Sequence, residues 1–100
     1  MHAIAELCVI PISGSVSVRD EVAQAHRILA ETGLPTELHA YGTNIEGPMD
    51  QILAAVERIH SELHGSGVPR VHTAIKIGTR TDKTQHMQDK IDAVNDAQPD

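Results

Sequence analysis

One hundred residues carrying a formal charge of −6, with eight basic residues against fourteen acids, predict a single domain over 1–100 and argue against nucleic acid as a partner, which calls for clustered Lys and Arg. One aromatic residue, Tyr41, leaves no platform for stacking bases, and one cysteine, Cys8, allows no intrachain disulfide, which suits a reducing compartment and predicts a cytoplasmic protein. No apolar run approaches the roughly 20 residues of a membrane span, and Met1–Pro11, with Glu6 inside its apolar run and no basic lead, does not read as a secretory signal.

Ala3 to Ile10 reads as a strand, bounded by Pro11 and the cluster Ser13, Gly14 and Ser15. Its odd and even positions are both mostly apolar, which predicts a central strand with neither face fully wet. A helix follows. Ser17 is its predicted cap, with Asp20 at the capping-box position, and Val18, Val22, Ala25 and Leu29 form its apolar stripe. Gly33 ends it and Pro35 prevents its resumption. From Thr36 to Gly42, Glu37, His39 and Tyr41 alternate against Leu38, Ala40 and Gly42. Thr43 to Gly47 then continues or returns beside that strand, with Gly42 as the bend. Pro48 suits a first helical position. Met49, Ile52, Val56, Ile59 and Leu63 make the second helical stripe, closed by Gly65, Ser66, Gly67 and Pro69. Val71, Thr73, Ile75 and Ile77 alternate against His72, Ala74 and Lys76 as a fourth strand. Asp82 with Gln85, or Thr84 itself, is the predicted cap of a last helix whose stripe is Met87, Ile91 and Val94; a frayed tail is expected from Asp96 to Asp100.

The order β-α-β-β-α-β plus a terminal helix predicts an α+β, ferredoxin-like fold. Right-handed crossovers place both main helices on one face of an antiparallel sheet. The other face is left open, carrying Glu6, Cys8, Glu37, His39, Tyr41, Asn44, Glu46, His72 and Lys76. Apolar near Ile4, Cys8 and Ile10 and polar elsewhere, it calls for a cover: a second subunit, a ligand, or both.

Thr43-Asn44-Ile45-Glu46-Gly47 concentrates donors and acceptors at a strand end, where they could bind a ligand's polar groups. Turn shaping by Asn and Gly, with Glu46 favouring a helix dipole, is the alternative reading. Cys8 in mid-strand reads as a small hydrophobe or a pocket wall. His60 and His64 share a helix face at i, i+4. Ser61 stands where zinc proteases carry Glu, and no Cys pair or carboxylate is placed to complete a tetrahedral set, so no metal site is expected. His39 and His72 are expected to face each other on the sheet. There is no G-x-S-x-G elbow, and Ser13–Ser15 lacks a P-loop lysine, so no catalytic residue is assigned. Arg70 and Arg80 flank the fourth strand, either as anion ligands or as solvated strand ends.

Five segments together resemble one family. They are Glu6–Ile12; Ser15-Val16-Ser17; Tyr41-Gly42-Thr43-Asn44-Ile45-Glu46-Gly47; Arg70 to Arg80, ending Ile75-Lys76-Ile77-Gly78-Thr79-Arg80; and Met87 through Lys90 to Val94. This order is similar to that of the thiamine-binding protein family. The resemblance implies a ferredoxin-like subunit that pairs sheet to sheet as a homodimer or, as a dimer of dimers, a homotetramer. It implies non-catalytic binding of thiamine or its hydroxymethyl-aminopyrimidine part as ligand, with no further cofactor. Thr43, Asn44 and Glu46 would hold the pyrimidine, with Cys8 and Glu6 as neighbours. Tyr41 departs from the smaller or non-aromatic residue common at that position and would stack on the ligand or narrow the pocket. An acidic chain attracts the cationic thiazolium. Two other readings stand beside this one: a structural or regulatory interaction module without a ligand, and a small enzyme using Glu46 or His39 as base.

Overall fold

The computed structural model describes residues 1–15 and 17–99. Its elements are β1 (His2–Ile12), α1 (Arg19–Glu31), β2 (Thr36–His39), β3 (Gly42–Pro48), α2 (Met49–Gly65), β4 (Arg70–Gly78) and α3 (Met87–Asp96). The four strands form one antiparallel sheet in the order β2-β3-β1-β4, the topology of a ferredoxin-like fold. The central strand is β1, paired with β3 from His2↔Pro48 to Leu7↔Thr43 and with β4 from Ile4↔Gly78 to Ile12↔Arg70.

Period-two alternation assigns each residue its face. Ala3, Ala5 and Leu7 of β1 and Ile45 of β3 point to the helix side, where they pack with Ile28 and Leu29 of α1, Ile52, Ile59 and Leu63 of α2, and Val68. With so few aromatics, branched aliphatics carry the core, and Ile45, Ile52, Ile59 and Leu63 are fully buried. Truncating one of them to Ala costs roughly 2–5 kcal/mol.

Several local expectations shift. Ser17 does not cap α1; the N-cap residue is Val18, with no side-chain bond to the helix, and Val16 of the matching segment lies outside the described residues. The stripe of α1 turns toward Ile28, while Val22 is 39% exposed. Gly33, at φ +76°, ends the helix as expected. The chain reverses at Ala40 and Tyr41, since His39 pairs with Gly42, so Thr43–Gly47 belongs to a return strand. Gly42 does not itself make the bend. It opens β3 where a Cβ would stand 2.2 Å from the Leu7 carbonyl oxygen. Pro48 closes β3 as the N-cap of α2, one residue before the helix. His39 and His72 do not face each other, because β3 and β1 lie between their strands. The last helix starts at Met87 with His86 as N-cap, not at Asp82 or Thr84. There the backbone N–H of His86 donates to Asp89 Oδ2 at 2.9 Å.

No helix of the described residues is long and apolar enough to cross a membrane.

Candidate functional site

The sheet face away from α1 and α2 carries His2, Ile4, Glu6, Asn44, Glu46 and Lys76 by alternation. After β4 the chain returns to this face through residues 79–86 and starts α3 against it. The docking point is Glu46, only 6% exposed. Its Oε2 lies 3.2 Å from His86 Nδ1, 3.3 Å from His2 Nε2 and 3.3 Å from the backbone N of Met87. A carboxylate at a helix N-terminus complements the positive end of the helix dipole. No residue of α3 is buried, so Glu46 and its partners, with half-buried Met87, hold the helix start.

Between the sheet and this returning segment lies a cavity of about 460 Å³, within the range typical of small-molecule sites. Ile4, Met87 and Ile91 contribute apolar wall, and Glu6 and Asn44 contribute polar atoms. Lys76, Arg80, Lys83 and Lys90 also line it. These are all three lysines of the chain and half of its basic residues. Asp82 neutralises Arg80 through a forked pair at 2.6 and 2.5 Å, and the guanidinium holds the Asp82 carboxyl at about 2. Among the described residues, no lysine has a salt-bridge partner. An acidic chain thus builds one locally cationic cavity.

A small network orients Asn44. The backbone N–H of Tyr41 donates to His39 Nδ1 at 3.3 Å. That assigns the proton to Nε2, which then donates to Asn44 Oδ1 at 3.0 Å; the tautomer follows from the network. His39 Nε2 also lies 3.5 Å from Glu6 Oε2. With its carbonyl engaged, Asn44 keeps its two N–H donors for a ligand.

The six residues singled out from the sequence therefore fall in three places. Glu6 and Asn44 line the cationic cavity. Glu46 sits beside it, its carboxylate turned to His2 and the start of α3. Thr43 points to the helix side, where its hydroxyl lies 3.1 Å from His26 Nδ1. Thr43, Cys8 and Tyr41 line a second hollow of about 220 Å³ between α1 and the β2–β3 hairpin. Tyr41, at its tip, is 85% exposed.

Sequence reasoning placed Lys76 on the open face and offered Arg80 as an anion ligand, but it did not group them with Lys83 and Lys90, and it missed the imidazoles of His2 and His86. A signal for the first existed: Lys76, Arg80, Lys83 and Lys90 fall within fifteen consecutive positions. None existed for the second, because His2, Glu46 and His86 are separated by about forty positions each and form no spacing motif. His60 and His64, which do, are engaged singly, with Thr73 Oγ1 at 2.7 Å and the Val68 carbonyl oxygen at 2.8 Å.

A helix-backed antiparallel sheet whose open face is roofed by a trailing segment over a polar cavity defines a small ferredoxin-like domain with a candidate ligand site. Residues 5–95 match the profile of the thiamine-binding protein family, and the chain belongs to that family. A UPF0045 protein of Synechocystis sp. is 46% identical over 94% of this chain and 78% of its own length. One of Eremothecium gossypii is 38% identical over 94% and 90%. Among solved structures, a Methanocaldococcus jannaschii protein superposes with a TM-score of 0.87 at 33% identity, covering 94% of this chain and 96% of its own. A Thermotoga maritima protein given a provisional role in thiamine biosynthesis or salvage has the same fold, with a TM-score of 0.81 at 15% identity over 94% and 99% of the two chains.

Proposed function

We propose that this chain is a binding protein for a thiamine-type ligand, held in the 460 Å³ cavity, and that phosphate esters of thiamine bind in preference to thiamine itself. Membership of a thiamine-binding family supports the ligand class. The single observation that carries the finer reading is the lining of Lys76, Arg80, Lys83 and Lys90 around Glu6 and Asn44.

The chemistry divides along the ligand. An aminopyrimidine offers an amino donor and ring-nitrogen acceptors. Glu6 accepts from the amino group and the Asn44 carboxamide donates to a ring nitrogen; a hydrogen bond to a charged group is worth roughly 1.5–3 kcal/mol. The thiazolium is a fixed cation, and bare in this cavity it meets three unpaired ammonium groups. A phosphate reverses that sign, because the lysines neutralise it as point charges. Thr43, Cys8 and Tyr41, grouped at the second hollow, make no contact with the ligand in this reading, and Glu46 acts by positioning α3. The role is binding rather than catalysis, in a reducing cytoplasm that suits the free Cys8.

A second copy of the chain is the cover we propose for the rest of the open face. Ile10 and Ile12 stand 46% and 39% exposed there, and Val94 of α3 is 61% exposed. Pairing sheet to sheet would bury the two isoleucines without closing the cavity at the opposite end of β1.

Calorimetric titration with thiamine, its monophosphate, its diphosphate and the free hydroxymethyl-aminopyrimidine tests the ligand reading. The diphosphate is expected to bind about tenfold or more tightly than thiamine, with the gap narrowing in high salt as the charges are screened. In Lys83→Ala/Lys90→Ala the gap should shrink while thiamine binding persists. No heat from any of the four ligands overturns the reading.

A further inference from the structure

We propose that His2, Glu46 and His86 form a binding site for one first-row divalent cation of the zinc type. The ring nitrogens His2 Nε2 and His86 Nδ1 and a Glu46 carboxylate oxygen all lie within 4.8 Å of one another. Two imidazoles and one carboxylate are a donor set that zinc accepts, leaving a coordination position open.

The spacing supports a cation more than a set of hydrogen bonds. Ligands about 2.0–2.1 Å from a tetrahedral metal stand about 3.3 Å from each other. Glu46 Oε2 lies 3.3 Å from His2 Nε2 and 3.2 Å from His86 Nδ1. Charge-assisted N–H···O bonds contract to about 2.7–2.9 Å, and these have not. The same oxygen also faces the backbone N of Met87 at 3.3 Å, so three nitrogens converge on one atom with two lone pairs. A cation would take one lone pair from each imidazole and one from the Glu46 carboxylate, and leave the Met87 N–H its hydrogen bond. The two rings meet edge to face, centroids 5.5 Å apart, so neither stacks over the other's donor edge.

The elements give the site a built character. Glu46 is fixed in β3 and nearly buried, while His2 starts the central strand β1 and His86 caps α3. Closing the triad with a cation would pin the start of α3 to β1 and β3, the strands that carry His2 and Glu46. The proposal does not rest on the thiamine reading, although His2 also lines the 460 Å³ cavity.

Zinc chloride titrated into the full-length protein, after removal of metal with a chelator and dialysis, tests it. One zinc per chain is expected. His86→Ala and His2→Ala, both at exposed side chains, should each weaken binding by about tenfold or more, with the far-ultraviolet circular dichroism of the sheet and main helices unchanged. The double variant His60→Ala/His64→Ala should bind as the parent does. The proposal is overturned if the parent takes up no zinc, if the His2 and His86 variants bind as tightly as the parent, or if the His60/His64 variant abolishes binding.

Discussion

Asn44 and Thr43 are neighbours in sequence and opposites in space. Pleating sends the Thr43 hydroxyl to His26 under the helices and the Asn44 carboxamide to the open face beside Glu6, so one polar pentapeptide serves two sides of the sheet. Arg80 and Asp82 show a second division of labour. Their forked pair removes Arg80 from competition with the lysines and holds the Asp82 carboxyl at about 2, chiefly through the guanidinium hydrogen bonds. A carboxyl lowered in the folded state contributes stability above its unfolded value of about 3.9 and loses that contribution as pH falls through its folded value. Carboxyl-detected NMR should therefore place the Asp82 midpoint near 2, and Arg80→Ala should return it to the ordinary range. An ordinary midpoint in the parent would mean that the pair is not held in solution.

Among the elements, α3 links fold to site. Its stripe of Met87, Ile91 and Val94 was readable in the sequence, but only Met87 is half-buried, and Val94 is 61% exposed. Local periodicity reports that a helix forms, not where it docks. The docking residue, Glu46, lies about forty positions away at the far end of a strand, and no local pattern ties it to α3. Glu46→Ala removes the acceptor that faces the Met87 N–H, at a cost of about 1–3 kcal/mol. Hydrogen exchange at the amides of α3 should accelerate accordingly while β1 and α2 keep their protection. Equal protection of α3 in parent and variant would contradict the anchoring role. The hairpin was legible only in part, for a similar reason. Two-residue turns advertise themselves through Asn-Gly or Asp-Gly, whereas this one uses Ala40-Tyr41 and leaves Gly42 to admit the Leu7 carbonyl.

At the scale of the whole molecule, the ferredoxin-like order of strands and helices was legible because apolar stripes and Gly/Pro breaks agree along most of the chain. The cavity was not, since it depends on the segment after β4, residues 79–91, folding back over the sheet, and the net charge of −6 hides a cationic pocket. Two apolar surfaces, Ile10 with Ile12 and the outer side of α3, remain uncovered in one copy. Sedimentation equilibrium should accordingly give a mass of two or four chains, and Ile10→Lys/Ile12→Lys should shift it toward one. A monomeric parent would contradict sheet-to-sheet pairing. The most direct test of the central claim is the calorimetric comparison of thiamine with thiamine diphosphate at low salt. The account predicts saturable binding of both, with the diphosphate tighter by about a factor of ten or more, since each factor of ten is about 1.4 kcal/mol; thiamine binding as tightly as its diphosphate, or no binding of either, would contradict it.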